Sequence, residues 1–197
     1  MSYNHHSFNL HSPPTYSLNC RGNLLPLHPP VVMGILNVSP DSFYDGGKFI
    51  EENSILEKAS ELVSNGAQII DIGGASSRPG ATILPFEEER QRLIPAIKLV
   101  SSHFPSVFIS ADTWRAKLAE EAIQQGAHII NDISGGELDK EMFNTVARLK
   151  VPYILMHMKG VPENMQNAPV YSDVIEELLL YFQKKIYSLI KYVSTKI

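Results

Sequence analysis

MGILNVSPDSFYDGG, residues 33–47, decides how this chain folds. The residues from Val31 to Leu36 read as a buried strand with a single glycine. The apolar run stops at an amide, Asn37, and a loop dense in turn chemistry follows: Ser39-Pro40-Asp41-Ser42, then Asp45-Gly46-Gly47. A buried strand that ends in a polar group and opens into a Gly/Asp-rich loop is how α/β enzymes build their sites.

The same event recurs four times downstream. Short apolar strands are expected at Gln68–Ile72, Val107–Ser110, His128–Asn131 and Tyr153–Met156. Their near-continuous apolar character, without alternation, predicts burial on both faces, as in a parallel sheet. Helical periodicity fills the intervals, at about 51–65, 86–103, 114–125, 139–150 and 172–193. The last opens on Asp173-x-x-Glu176, which has the form of a capping box, and carries one broad apolar face of Val174, Ile175, Leu178, Leu179, Phe182, Ile186 and Ile190. Upstream, Thr15–Cys20 and Leu24–Leu27 flank Arg21-Gly22-Asn23 and read as a hairpin.

Strand–helix alternation allows a closed (β/α)₈ barrel or an open doubly wound sheet. Polar groups at every strand's C-terminal end, and the absence of G-x-G-x-x-G after the first strand, favour the barrel, with the hairpin plugging its bottom. Only about five βα units are present in 197 residues, so the expected fold is a partial (β/α)₈ barrel. NGAQIIDIGG (65–74) echoes QGAHIINDISGG (125–136), an offset that suits two βα units.

The net charge of −4, without a Lys/Arg run, gives no reason to expect nucleic acid or an anionic membrane. A single cysteine, Cys20, excludes an intramolecular disulfide framework, suits a reducing cytoplasm, and reads as a small buried hydrophobe. No apolar run is long enough for a membrane span, and the N-terminus lacks the form of a secretory signal. Residues 1–14, polar and proline-rich, are expected to be a disordered lead whose His5, His6 and His11 do not form a metal site; residues 15–197 are expected to form one domain.

The strand tips read Asn37, Asp71, Asp112, Asn131-Asp132 and His157. Mixed amides and carboxylates suit the hydrogen-bonding edge of a flat heterocycle and match a zinc cage poorly. The loop Gly73-Gly74-Ala75-Ser76-Ser77-Arg78-Pro79-Gly80-Ala81 offers backbone N–H groups, two hydroxyls and a guanidinium, a combination that fits a phosphate or diphosphate. An oxygen-rich mouth holding a diphosphate would recruit Mg²⁺. The bland readings stand beside these. Asp71 satisfies loop amides as readily as it binds a ligand. His157 reads as a packed, hydrogen-bonded residue, Met33 and Met156 as core, and Glu87-Glu88-Glu89 as a solvated helix start.

MGILNVSPDSFYDGG (33–47), DIGGASSRPGA (71–81), SADT (110–113), NDISGG (131–136) and MHMKGVPENMQ (156–166) together resemble the dihydropteroate synthase family. The resemblance implies a (β/α)₈ barrel, a homodimer in the full-length family, and condensation of 7,8-dihydropterin-6-ylmethyl diphosphate with 4-aminobenzoate, with Mg²⁺ assisting the departure of diphosphate. It implies that Asn37 contacts the Mg²⁺–diphosphate and that Asp112 and Asn131 bind the pterin edge. Ser77 and Arg78 would lie near diphosphate and aminobenzoate, Phe43 and Pro79 would wall the aminobenzoate pocket, and Asp41 would stabilise the cationic methylene. Ala75 stands where the family often has an acid, and Ser39 and Ser77 where it often has threonine.

The family continues with a DPGxGFGK-type segment, a serine–lysine pair and an arginine–histidine pair; the tail KYVSTKI (191–197) does not resemble that continuation and reads as a truncated or frameshifted end. On that reading the chain alone is expected to aggregate or fold only partly, and to have negligible synthase activity. Competing expectations are a non-catalytic pterin-binding fragment, the related pterin-binding barrel of cobalamin-dependent methyltransferases, and an inert remnant. The SSRPGA and SPDSF loops argue against the methyltransferase, whose chemistry displaces no diphosphate.

Overall fold

Five parallel strands lie side by side in chain order, each followed by a helix on the same side of the sheet. A computed structural model describes residues 16–38, 48–75, 83–160, 165 and 168–194, with the side chains of 48–51 and 194 outside the description. A hairpin comes first: β1 (Ser17–Cys20) and β2 (Asn23–Pro26) pair antiparallel around Arg21-Gly22. Both turn residues have positive φ, 58° and 93°, the requirement of a two-residue turn whose twist matches its strands. The lead at 1–14 lies outside the described residues.

The sheet then runs β3 (Met33–Asn37), β4 (Ile69–Gly73), β5 (Phe108–Asp112), β6 (Ile129–Asp132) and β7 (Tyr153–Leu155), hydrogen-bonded in that order. Between and after them come α1 (Lys48–Ser64), α2 (Phe86–His103), α3 (Ala116–Gln124), α4 (Met142–Leu149) and α5 (Val174–Ser194). Sequential parallel order with β3 and β7 at the edges is the arrangement of a β/α barrel; the described residues form an open sheet and close no barrel.

The two faces of the sheet bury different things. Leu36, Val38, Ile70, Ile72, Ile109, Ala111 and Ile130 point toward the helices and join Leu93, Ile97, Leu118, Ala122 and Met142 in the main core. On the opposite face, at the N-terminal end of the strands, Ile69 and Ile129 meet Cys20 and Leu25 of the hairpin, with Phe108 and Ile154 packed against them. The hairpin therefore plugs the bottom of the inner face, and Cys20 is the buried hydrophobe its sequence context suggests. Further up that face the edge strand β3 is open: Ile35 is 62% exposed and Met33 36% exposed. Met33 reads as core in the sequence; it misses the core because, among the described residues, no strand pairs on the outer side of β3 to cover it.

Helix α5 buries only part of the broad apolar face that its sequence shows. Val174, Ile175, Leu179, Ile186 and Ile190 are exposed. The side that meets the body runs through Leu178, Tyr181, Phe182, Lys185 and Leu189. A broad apolar stripe leaves the choice of buried side to polar anchors, and here Tyr181 Oη donates to Met156 O at 3.1 Å while the Lys185 ammonium pairs with Glu137 beside the Phe143 and Tyr181 rings. The helix is capped as Asp173 predicts, with Oδ1 accepting from the N–H groups of Ile175 and Glu176. The returning acid is Glu177, which accepts from Ser172 N at 2.8 Å, in place of Glu176.

Candidate active site

Register places the candidate residues. Asn37, Gly73, Asp112, Asn131 and Ile154 are consecutive partners across the five strands and form one row at their C-terminal ends. Side chains alternate along a strand, so this row points to the inner face, away from the helices. Gly73 leaves a gap in the row. A Cβ there would stand 3.2 Å from Asn37 Oδ1 and 3.2 Å from Asp112 Oδ2. The amide of residue 37 and the acid of residue 112 thus converge on one hollow, as the strand tips imply.

One layer lower on the same face the partners are Ile35, Asp71, Ser110 and Ile129. Asp71 is buried, and its Oδ2 accepts from Asn131 Nδ2 at 2.9 Å. These two residues occupy equivalent positions in the internal echo. Asp71 Oδ1 and Ser110 Oγ are buried without a hydrogen-bond partner among the described residues. Burial raises the Asp71 pKa, while Asn131 and the nearby Ser110 hydroxyl hold it down. Ser110 acts here by proximity, since the pair does not meet hydrogen-bond geometry.

Asp112 is the most perturbed acid of the mouth. Burial, then the charges of Asp71, Glu89 and Asp132, push its pKa up to about 8. Near neutral pH it is largely a neutral carboxylic acid, able to donate as well as accept.

Two tip residues belong elsewhere. Asp132 faces the helices: Oδ1 accepts from Ser134 N and Oγ at 2.7 Å each, and Oδ2 from Gly136 N at 2.9 Å and Tyr153 Oη at 2.7 Å. It holds the NDISGG loop and contributes no side chain to the mouth. His157 packs edge-on against Tyr181, ring centroids 4.7 Å apart, which is the packing its structural reading expects.

Glu89 was expected in solvent and is buried instead. Its carboxylate accepts from Thr113 Oγ1 and Arg115 Nε at 2.7 Å each, directly after Asp112 in the chain. Arg115 also donates to Leu84 O and stacks over Trp114 at 4.2 Å. Nothing local in Glu87-Glu88-Glu89 marks the third acid as the buried one; its partner comes 26 residues later.

Asp41, Phe43, Ser77, Arg78 and Pro79 lie outside the described residues. Among the described residues no group of three or more His, Cys, Asp or Glu side chains could hold a metal. The donor set still fits Mg²⁺, which keeps several waters and takes one or two protein oxygens beside a diphosphate; Asn37 Oδ1, turned into the hollow, is such an oxygen. Among the described residues no helix is long and apolar enough to cross a membrane.

A sequential parallel sheet with helices on one face, and on the other a hollow rimmed by amides and acids, defines the class: an α/β fold of β/α-barrel type whose strand ends carry a polar site. Residues 33–193 match the pterin binding enzyme family model, and the chain belongs to that family. The folic acid synthesis protein fol1 of Pneumocystis carinii is 49% identical over 161 residues, covering 81% of this chain and 22% of that protein. The dihydropteroate synthase of Escherichia coli K12 is 43% identical over 169 residues, covering 86% of this chain and 59% of that one. Among solved structures, Xanthomonas albilineans dihydropteroate synthase with 4-aminobenzoic acid superposes with a TM-score of 0.80 at 37% identity, covering 91% of this chain and 63% of that chain. The chain therefore spans less than two thirds of these relatives.

Proposed function

We propose that this chain supplies the pterin-holding part of a dihydropteroate synthase site. The reaction joins 7,8-dihydropterin-6-ylmethyl diphosphate to 4-aminobenzoate: the methylene C–O bond breaks, diphosphate leaves with the bonding pair, the arylamine lone pair forms the new C–N bond, and the amine gives up one proton. The observation that carries the reading is the row Asn37–Gly73–Asp112–Asn131, in which the missing side chain at residue 73 leaves the Asn37 amide oxygen and the Asp112 acid converging on one point, 3.2 Å each from where a Cβ would stand.

Asp112 and Asn131 hold the ring edge and fix its plane, since mixed donors and acceptors at fixed positions orient a heterocycle as well as bind it. Asn37 would hold Mg²⁺, which would supply positive charge beside the diphosphate. Arg78 and Ser77 at the diphosphate, Phe43 and Pro79 at aminobenzoate, and Asp41 near the cationic methylene complete the reading on the strength of the family resemblance. Aminobenzoate as co-substrate is supported by the ligand named with the Xanthomonas structure. A homodimer and a cytoplasmic location belong to the same proposal; the single cysteine, buried and free, suits the latter.

Calorimetric titration of the 197-residue chain with a pterin, beside a turnover assay, tests this. Binding with product formation supports the synthase reading. Binding without turnover reduces the chain to a pterin-holding unit, and no binding by wild type overturns both.

A further inference from the structure

Asp71 and Ser110 sit one layer beneath the mouth, buried, and the functional reading above uses neither. We infer that Asp71 determines ligand specificity by fixing the orientation of the Asn131 carboxamide, so that Asn131 presents its oxygen to the bound ring and selects a ring that turns an exocyclic amine toward it. The inference rests on the functional reading above and names what that site discriminates.

The geometry supports it from below. Asn131 Nδ2 donates to Asp71 Oδ2 at 2.9 Å, so the amide nitrogen faces the buried acid. A planar amide that commits its nitrogen downward leaves Oδ1 on the side of the hollow. No hydrogen bond from another described residue reaches that oxygen. The rest of the layer offers Asn131 little other choice: its neighbours in the lower row are the apolar Ile35 and Ile129 and the Ser110 hydroxyl. The Asp71 backbone is held in the middle of β4, with strands paired on both sides, and its side chain is buried.

The exocyclic amine is the group that both answers an amide oxygen and separates pterin from lumazine, since each keeps a ring N–H. A 2-amino-4-oxo ring presents the exocyclic amine; the 2,4-dioxo ring of the same size and shape presents a carbonyl. Two facing acceptors leave both unsatisfied in a partly buried site, which costs more than the lost bond itself.

Asp71→Asn is the test variant, since it keeps shape and volume while adding a donor. With Asn at 71 the Asn131 amide is free to turn over. Wild type is expected to bind pterin over lumazine by about tenfold or more, and the variant to bring that ratio to within about threefold of unity, with the loss falling on pterin. Retention of the wild-type ratio by Asp71→Asn overturns the inference. A second readout does not depend on ligand or variant: in the side-chain amide NMR spectrum of the wild-type chain, one Asn131 Nδ2 proton should exchange slowly under the protection of Asp71. Fast, solvent-like exchange of both protons overturns the inference even if neither ring binds, whereas failure of wild type to bind pterin with the slow proton present overturns only the functional reading on which it rests.

Discussion

Arg115 Nε donates to Glu89 Oε2 at 2.7 Å at the seam between α2 and the start of α3, with the Glu89 carboxylate buried and the Arg115 side chain largely so. The same carboxylate accepts from Thr113 Oγ1 at 2.7 Å, so it also fixes the residue that follows Asp112. A buried pair of this kind is worth little against an apolar replacement but costs a great deal to break, because the survivor keeps an uncompensated charge. Either Glu89→Ala or Arg115→Ala is expected to lower unfolding free energy by about 3–5 kcal/mol. Removing both should cost clearly less than the sum of the two. Urea unfolding of the single and double variants measures this, and strictly additive losses would refute the pairing as an energetic unit.

Gly135 has φ +57°, and a Cβ there would stand 2.2 Å from Tyr181 Oη. The loop after β6 and helix α5 are therefore fitted to each other through a missing side chain. Gly135→Ala should be strongly destabilising. Tyr181→Phe removes the nearest atom but leaves Met156 O at 2.9 Å, so it should relieve only part of the strain. A coupling of about 0.5–3 kcal/mol between the two substitutions is expected from thermal unfolding.

Much of the mouth was legible because apolar runs announce where they stop. Asn37 stands directly after a strand's apolar run, Asp112 two residues past one, and Asn131 where another ends, and all three converge. The dipeptide Asn131-Asp132 was not separable. Ile129 and Ile130 are both buried, one against the hairpin and one against the helices, so no alternation in the sequence shows which polar residue faces which side. The fate of Glu89 was hidden for a different reason: its partners Thr113 and Arg115 are remote in sequence, and a triple-acid helix start looks the same whether or not one acid turns inward. The buried side of α5 was chosen by Lys185 and Tyr181, polar residues that a hydrophobic pattern discounts.

Asp112 gives the chain a pH dependence of definite sign. Its folded-state pKa is pushed up to about 8, while an unfolded aspartate titrates near about 3.9. Between those values the folded state holds a proton that the unfolded state has released, so stability falls as pH rises across that window. Asp112→Asn has no proton to lose there. Its melting temperature should exceed that of wild type by a margin that grows from about pH 5 to about pH 8, while pterin binding is lost. A margin that does not change with pH would show that Asp112 ionises normally in the folded chain.

Gly73→Ala separates the site from the fold. The glycine's backbone has no positive φ that an alanine would strain. The added methyl would meet Asn37 Oδ1 and Asp112 Oδ2 at 3.2 Å each, and Ala75 O at 3.5 Å, contacts that need shifts of only a few tenths of an ångström. The sheet register on both sides of residue 73 is set by ladders that the methyl does not touch. Stability should therefore change little, within about 1 kcal/mol by chemical denaturation. The methyl nevertheless occupies the gap between amide and acid into which a ring edge would enter, so pterin affinity should fall about tenfold or more. Wild-type affinity in a well-folded Gly73→Ala chain would mean that the ligand does not sit over this row, and would remove Asn37 and Asp112 together from the binding site.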